Sequence, residues 1–121
     1  GVELQDEAVE QAQLNAQLND ITNVEFVVGR AERILAETVR SLQAPPDVVL
    51  LDPPRKGCDR MVLDTLLEVQ PQRIVYMSCN PATLARDLKH LIAGGYRLTR
   101  VQPADFFPQT AHVECVAFLV R

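Results

Sequence analysis

Apolar residues along the chain alternate between two rhythms, one with the spacing of a helix and one with that of an extended strand. Over residues 6–18, Ala8, Val9, Ala12 and Ala16 recur at helical intervals and Asn19-Asp20 supplies an end. Residues 24–29 follow as an extended run, and residues 31–42 return to the helical pattern. Pro45-Pro46 then interrupts the chain before Asp47-Val48-Val49-Leu50-Leu51-Asp52, whose unbroken apolar centre suits a parallel strand covered on both faces. A third helix is predicted over residues 60–69, closed by Pro71, and a strand over residues 73–77. Residues 82–92 form a fourth helix that Gly94-Gly95 ends, and residues 96–101 and 113–120 complete the set as two strands. No repeat, low-complexity tract or long linker divides the chain, so one unit is expected.

Such alternation predicts an α/β layered fold with right-handed crossovers, in which functional groups gather at the carboxyl ends of strands. Asp52 and Cys79 both fall at such ends, on successive strands. After Asp52, two prolines fix φ and supply no N–H donors, so the strand stops and the carboxylate is held at the sheet edge. The bland alternative is that Asp-Pro-Pro only terminates the strand. Cys79 lies in Ser78-Cys79-Asn80-Pro81, where Asn80 suits an N-cap and Pro81 the first helical position. The thiol then sits just before a helix whose dipole favours an anion by about 0.3–1 kcal/mol, which points to a nucleophile for an electron-poor carbon. The competing expectation is a buried, inert thiol, the commoner fate of a free cysteine. Cys58 and Cys115 lack the helix-cap context and are expected to be structural. Glu114 opens the last strand, placed either at the mouth of the sheet or within it, and a partly desolvated carboxylate there is a competent general base. His112 either supports Glu114 through a hydrogen bond or is simply solvated.

Composition narrows the classes. The 121 residues are 47% hydrophobic, enough for one core, and no apolar stretch reaches the roughly 18 residues of a membrane span. The first residues lack the basic and apolar regions of a secretion signal, so a cytoplasmic address is the default. Three cysteines without a Cys-x-x-Cys pair argue against a disulfide framework and against a thiolate zinc site, so no metal is expected. A net charge of -4 and a pI near 5.1 give no broad basic field for a polyanion, so nucleic-acid affinity has to come from local Lys and Arg or from other segments.

Gly1-Val2-Glu3, Asp52-Pro53-Pro54-Arg55-Lys56-Gly57, the run from Ser78-Cys79-Asn80-Pro81 to Ala85-Arg86-Asp87, and Phe107-Pro108-Gln109-Thr110-Ala111-His112-Val113-Glu114 stand in this order. Together they closely resemble the S-adenosylmethionine-dependent uracil-C5 RNA methyltransferases, which make 5-methyluridine in tRNA or rRNA. Asp-Pro-Pro alone is shared by many methyltransferases, whereas Ser-Cys-Asn-Pro with the later Phe-Pro-x-Thr-x-His-x-Glu is highly specific. The resemblance implies a truncated Rossmann-like methyltransferase fold, mostly parallel with an antiparallel last strand and helices on both faces. It implies that Cys79 adds to C6 of the target uracil, that Glu114 later removes the C5 proton, and that Asp52 orients cofactor and base. Glu3 would hold the ribose hydroxyls of S-adenosyl-L-methionine, with Asp52 as the second cofactor-binding residue.

None of the five glycines forms a Gly-x-Gly loop. By the same resemblance, residues 1–121 are then a partial methyltransferase domain lacking the first strand and Gly-rich loop, acting on RNA through the full-length protein and not on a membrane. The missing strand lies centrally in the family's sheet. Residues 24–28 are therefore expected to close onto the edge of residues 48–52, or a second copy of the chain to cover that edge by self-association. Two other readings stand beside this one. An amino-methyltransferase would use Asp-Pro-Pro to bind a target amine and would have no use for Cys79. An inactive folded remnant would serve only as an interaction module.

Overall fold

The computed structural model describes residues 1–121. Where the sequence predicts one unit, the chain divides into two compact units, Gly1–Ser41 and Leu42–Arg121. The first holds β1 (Val2–Glu3), α1 (Asp6–Leu18), β2 (Val27–Val28) and α2 (Ala31–Ser41). Its two strands pair in parallel, Val2 with Val27 and Glu3 with Val28. The backbone bonds Val27 N–H to Gly1 O and Gly29 N–H to Glu3 O, each 2.8 Å, extend that short ladder. Val9 and Ala16, one apolar stripe of α1, are its buried side chains.

The second unit contains β3 (Val48–Leu51), α3 (Arg60–Val69), β4 (Arg73–Ser78), α4 (Pro81–Ala93), β5 (Arg97–Ala104) and β6 (Glu114–Val120). Its four strands form one sheet in the order β3-β4-β6-β5. β3 and β4 are parallel, and β6 runs antiparallel to both of its neighbours. The connections β3-α3-β4 and β4-α4-β5 advance in the same direction across the sheet. Right-handed crossovers therefore put α3 and α4 on one face, where they pack together. Register and burial agree, since Ile74 faces Leu119, Tyr76 faces Ala117 and Ser78 faces Cys115, all buried. Val62, Leu63 and Leu66 of α3 and Leu84, Leu88 and Leu91 of α4 close this core.

Helix ends follow the local chemistry. Asp59 caps α3 by accepting from Met61 N–H at 2.9 Å, and Gln70 ends it in the left-handed conformation, φ 58°. At the end of α4, the Cβ of any larger residue at Gly94 would overlap Leu67 Cδ2, so the chain passes α3 in a gap that only a hydrogen fits. Edge strand β5 tolerates Pro103, which pairs with Cys115 while lacking an N–H.

Two expectations about β3 and its neighbours are corrected. Residues 24–28 do not close onto β3: only Val27 and Val28 are strand, and they pair with β1. β3 is consequently an edge strand. Nor is β3 covered on both faces within this unit, for Leu50 is 76% exposed and Val48 45%, while Val49 and Leu51 turn toward the helices. A continuous apolar run thus reports what a strand is built to pack against, and here one of its faces is open.

Candidate active site

β4 ends at Ser78, and the turn that carries Cys79 is fixed by its own neighbours. The buried Ser78 hydroxyl donates to Asn80 O at 3.0 Å and accepts from Asn80 N–H at 3.1 Å, closing a tight loop around Cys79. Asn80 then caps α4, its Oδ1 accepting from Ala82 N–H at 3.0 Å, with Pro81 at the first helical position. Cys79 is half-buried, neither sealed in the core nor fully in solvent. Glu114, also half-buried, is the first residue of β6. Because Ser78 pairs with Cys115, the next residues outward on the two antiparallel strands are Cys79 and Glu114. The ladder therefore delivers thiol and carboxylate to the same end of adjacent strands.

Asp52 follows β3 directly and is exposed. β3 lies beside β4 in parallel register, Leu51 against Tyr76, so Asp52 emerges at the edge from which Cys79 emerges. Pro53 and Pro54 carry the chain into a turn closed by Gly57 N–H to Pro54 O, 2.8 Å. Glu3, in the first unit, is exposed at the carboxyl end of β1; its Oε1 accepts from Leu4 N–H at 2.6 Å and Gln5 N–H at 3.0 Å. His112 does not support Glu114 in the way expected. Its Nδ1 lies 3.2 Å from Arg55 Nη2, and its ring meets Phe107 edge to face at 6.2 Å.

The sequence reading assigned no role to the centre of the most heavily bonded part of this region. Asp87 of α4 is 1% exposed, and its Oδ2 accepts from the Tyr76 hydroxyl at 2.5 Å and from Cys58 N–H at 2.8 Å. Its Oδ1 accepts from Arg86 Nε at 2.8 Å. Arg86 in turn donates through Nη2 to Lys56 O at 2.9 Å. Burial and the Asp87 bond push the Tyr76 hydroxyl well above the ordinary tyrosine range, and Asp87 holds the Arg86 guanidinium more firmly protonated. Burial pushes the Cys58 thiol up to about 11, as suits a structural cysteine. A sequence signal for Asp87 does exist: it interrupts the apolar stripe Leu84, Leu88, Leu91, where an acidic residue has to be paired to be buried.

Comparison with known proteins places the fold first. An rRNA methylase from Streptococcus thermophilus superposes with a TM-score of 0.72 at 12% identity, over 99% of this chain and 70% of that one. This likeness defines the class as a Rossmann-like methyltransferase fold. A tRNA (uracil-54, C5)-methyltransferase from Pyrococcus abyssi, solved in complex with S-adenosyl-L-homocysteine, gives a TM-score of 0.81 at 36% identity, over 99% of this chain and 28% of that one. The sequence signature of the tRNA (Uracil-5-)-methyltransferase family matches residues 1–121, and the chain belongs to that family. An uncharacterized RNA methyltransferase of Nostoc sp. is 61% identical over 121 residues, covering 99% of this chain and 25% of the relative. One from Bacillus cereus is 54% identical over 119 residues, covering 98% and 26%. The chain thus spans about a quarter of the length of the relatives it matches. Nothing in these matches favours an amino-methyltransferase.

Proposed function

We propose that residues 1–121 are the part of a uracil-C5 RNA methyltransferase domain that carries its nucleophile and its base, Cys79 and Glu114. In this reading the first strand and Gly-rich loop of the domain lie in the rest of the protein. The observation that supports it is the β4–β6 ladder, whose last pair is Ser78 with Cys115, so that Cys79 and Glu114 are the next residues outward on the two strands. The Cys79 thiolate adds to C6 of a uridine in tRNA or rRNA, and the electrons of the C5–C6 double bond move toward C5 and O4, making C5 nucleophilic. S-adenosylmethionine, when bound, supplies the electrophilic methyl group that C5 takes up. The Glu114 carboxylate then accepts the C5 proton, the double bond re-forms and the thiolate leaves. A base separate from the thiol is needed because the sulfur is still bonded to carbon when the proton departs.

Asp52, exposed at the same sheet edge, orients the reacting groups by hydrogen bonding. The fit of Glu3 to the cofactor rests on its carboxylate, which is exposed and pinned through Oε1 by two backbone N–H groups. No hydrogen bond falls on Oε2, leaving an oriented acceptor for ribose hydroxyls. An RNA-modifying role assigns the protein to the cytoplasm, and no helix is long and apolar enough to cross a membrane.

The test uses the complete protein and RNA in which the target uridine is 5-fluorouridine. Fluorine cannot leave as a proton, so a stable protein–RNA adduct through Cys79 is expected, and Cys79→Ala abolishes it. Methyl transfer that survives Cys79→Ala would overturn this assignment.

A further inference from the structure

One face of α4 is given over to the backbone of the loop that follows β3. Asn80, Thr83, Arg86 and Asp87 recur at helical spacing, and each bonds that loop. Asn80 Nδ2 and Thr83 Oγ1 donate to Arg55 O at 3.3 and 3.0 Å, Arg86 to Lys56 O at 2.9 Å, and Asp87 Oδ2 accepts from Cys58 N–H at 2.8 Å. Of the four, only Asp87 is buried, and its side chain is the one that also reaches β4, through the Tyr76 hydroxyl. Gly57 allows this closeness, since its φ is +80° and an added Cβ would come within 2.5 Å of Asp87 Oδ2.

We propose that Asp87 is a positioning residue for the attack of Cys79, locking the loop that descends from Asp52 onto the helix that begins beside Cys79. The inference rests on the chemistry proposed above for Cys79. Asp87 reaches no reacting group. It fixes the spacing between two strand ends by tying three things to one carboxylate: β4 through Tyr76, the loop through Cys58, and α4 through its own backbone. A carboxylate is suited to the task because one oxygen serves the loop and β4 while the other holds Arg86, which grips the same loop at Lys56.

The experiment measures adduct formation on 5-fluorouridine RNA by the complete protein, separating the limiting rate from the RNA concentration at half-saturation. For Asp87→Ala the limiting rate is expected to fall about 10- to 100-fold, the usual cost of a small misplacement, with half-saturation changed less than about threefold. Asp87→Asn is expected to restore part of the rate, because its amide oxygen still accepts from Cys58 N–H and Tyr76 O–H while its amide nitrogen, a donor, no longer holds Arg86. Hydrogen exchange at the Cys58 amide accelerates in Asp87→Ala and stays slow in Asp87→Asn. If Asp87→Ala fails to fold, Tyr76→Phe replaces it, with an expected fall of about 3- to 10-fold in the limiting rate. A rate per folded molecule equal to wild type, or a loss confined to RNA half-saturation, overturns the proposal. Absence of any adduct in the wild-type protein overturns the chemistry of Cys79 instead, and exchange at Cys58 still reads whether Asp87 holds the loop.

Discussion

The turn after β4 and the loop after β3 leave neighbouring strands at the same sheet edge, yet they are held in opposite ways. The first is self-sufficient: Ser78 and Asn80 bond each other and the first turn of α4, all within five residues. The second borrows its shape, since Arg55, Lys56 and Cys58 find partners 28 to 30 residues away on α4. The proposed nucleophile is thus set by local sequence, while the residues around it depend on a distant helix being in place. Short-range control resists perturbation elsewhere, whereas long-range control makes one part of the site sensitive to substitutions remote from the chemistry.

Breaking either partner tests this contrast. The largest effect is expected from Cys79→Ser, which keeps the turn and the fold but replaces the soft nucleophile; methyl transfer by the complete protein should fall by about 10³ or more with an unchanged melting temperature. Next is Gly57→Ala. The left-handed backbone alone costs about 1–3 kcal/mol, and the crowded Asp87 carboxylate adds to this, so chemical denaturation should show a loss at the upper end of that range. Asn80→Ala removes the cap of α4 and one of the two donors to Arg55 O, and should lower stability by about 1 kcal/mol. A pH dependence tests the loop in a different way. The Cys58 thiol titrates near 11 in the folded protein and near 9.0 in the unfolded chain. Its neutral form favours folding fully below pH 9, and that stability is lost as the pH rises from 9 toward 11. Cys58→Ser should flatten the stability curve over this window, as followed by denaturant titration at each pH.

Much of the fold was legible because its signals are local. Helices α1 and α3 run over the predicted residues, 6–18 and 60–69, since the acidic first turn of α1, the Asp59 cap of α3 and Pro71 mark their ends in the sequence. Strand lengths were less legible because a strand ends where its partner ends. Residues 24–29 read as one extended run, but β1 offers a ladder of two residues, and β2 is no longer than that. β5 runs past residue 101 to Ala104 because β6 continues alongside, and Pro103 is tolerated at an edge that sequence periodicity does not reveal. In the site, Cys79 and Glu114 stood out by their places at the start of a helix and a strand. The bonds of Arg55 to His112 and of Asp87 to Cys58 did not, since they join residues 57 and 29 apart whose meeting is decided only when the sheet and α4 assemble.

The contact between Gly94 and Leu67 has a consequence for how this sequence diversifies. With no clearance for a methyl group while Leu67 keeps its present conformation, a larger residue at position 94 needs the half-buried Leu67 side chain to turn away or position 67 to shrink. Among relatives these two sites should drift as a couple, and a deep library of variants should recover Gly94→Ala chiefly in molecules that also carry Leu67→Ala or Leu67→Val.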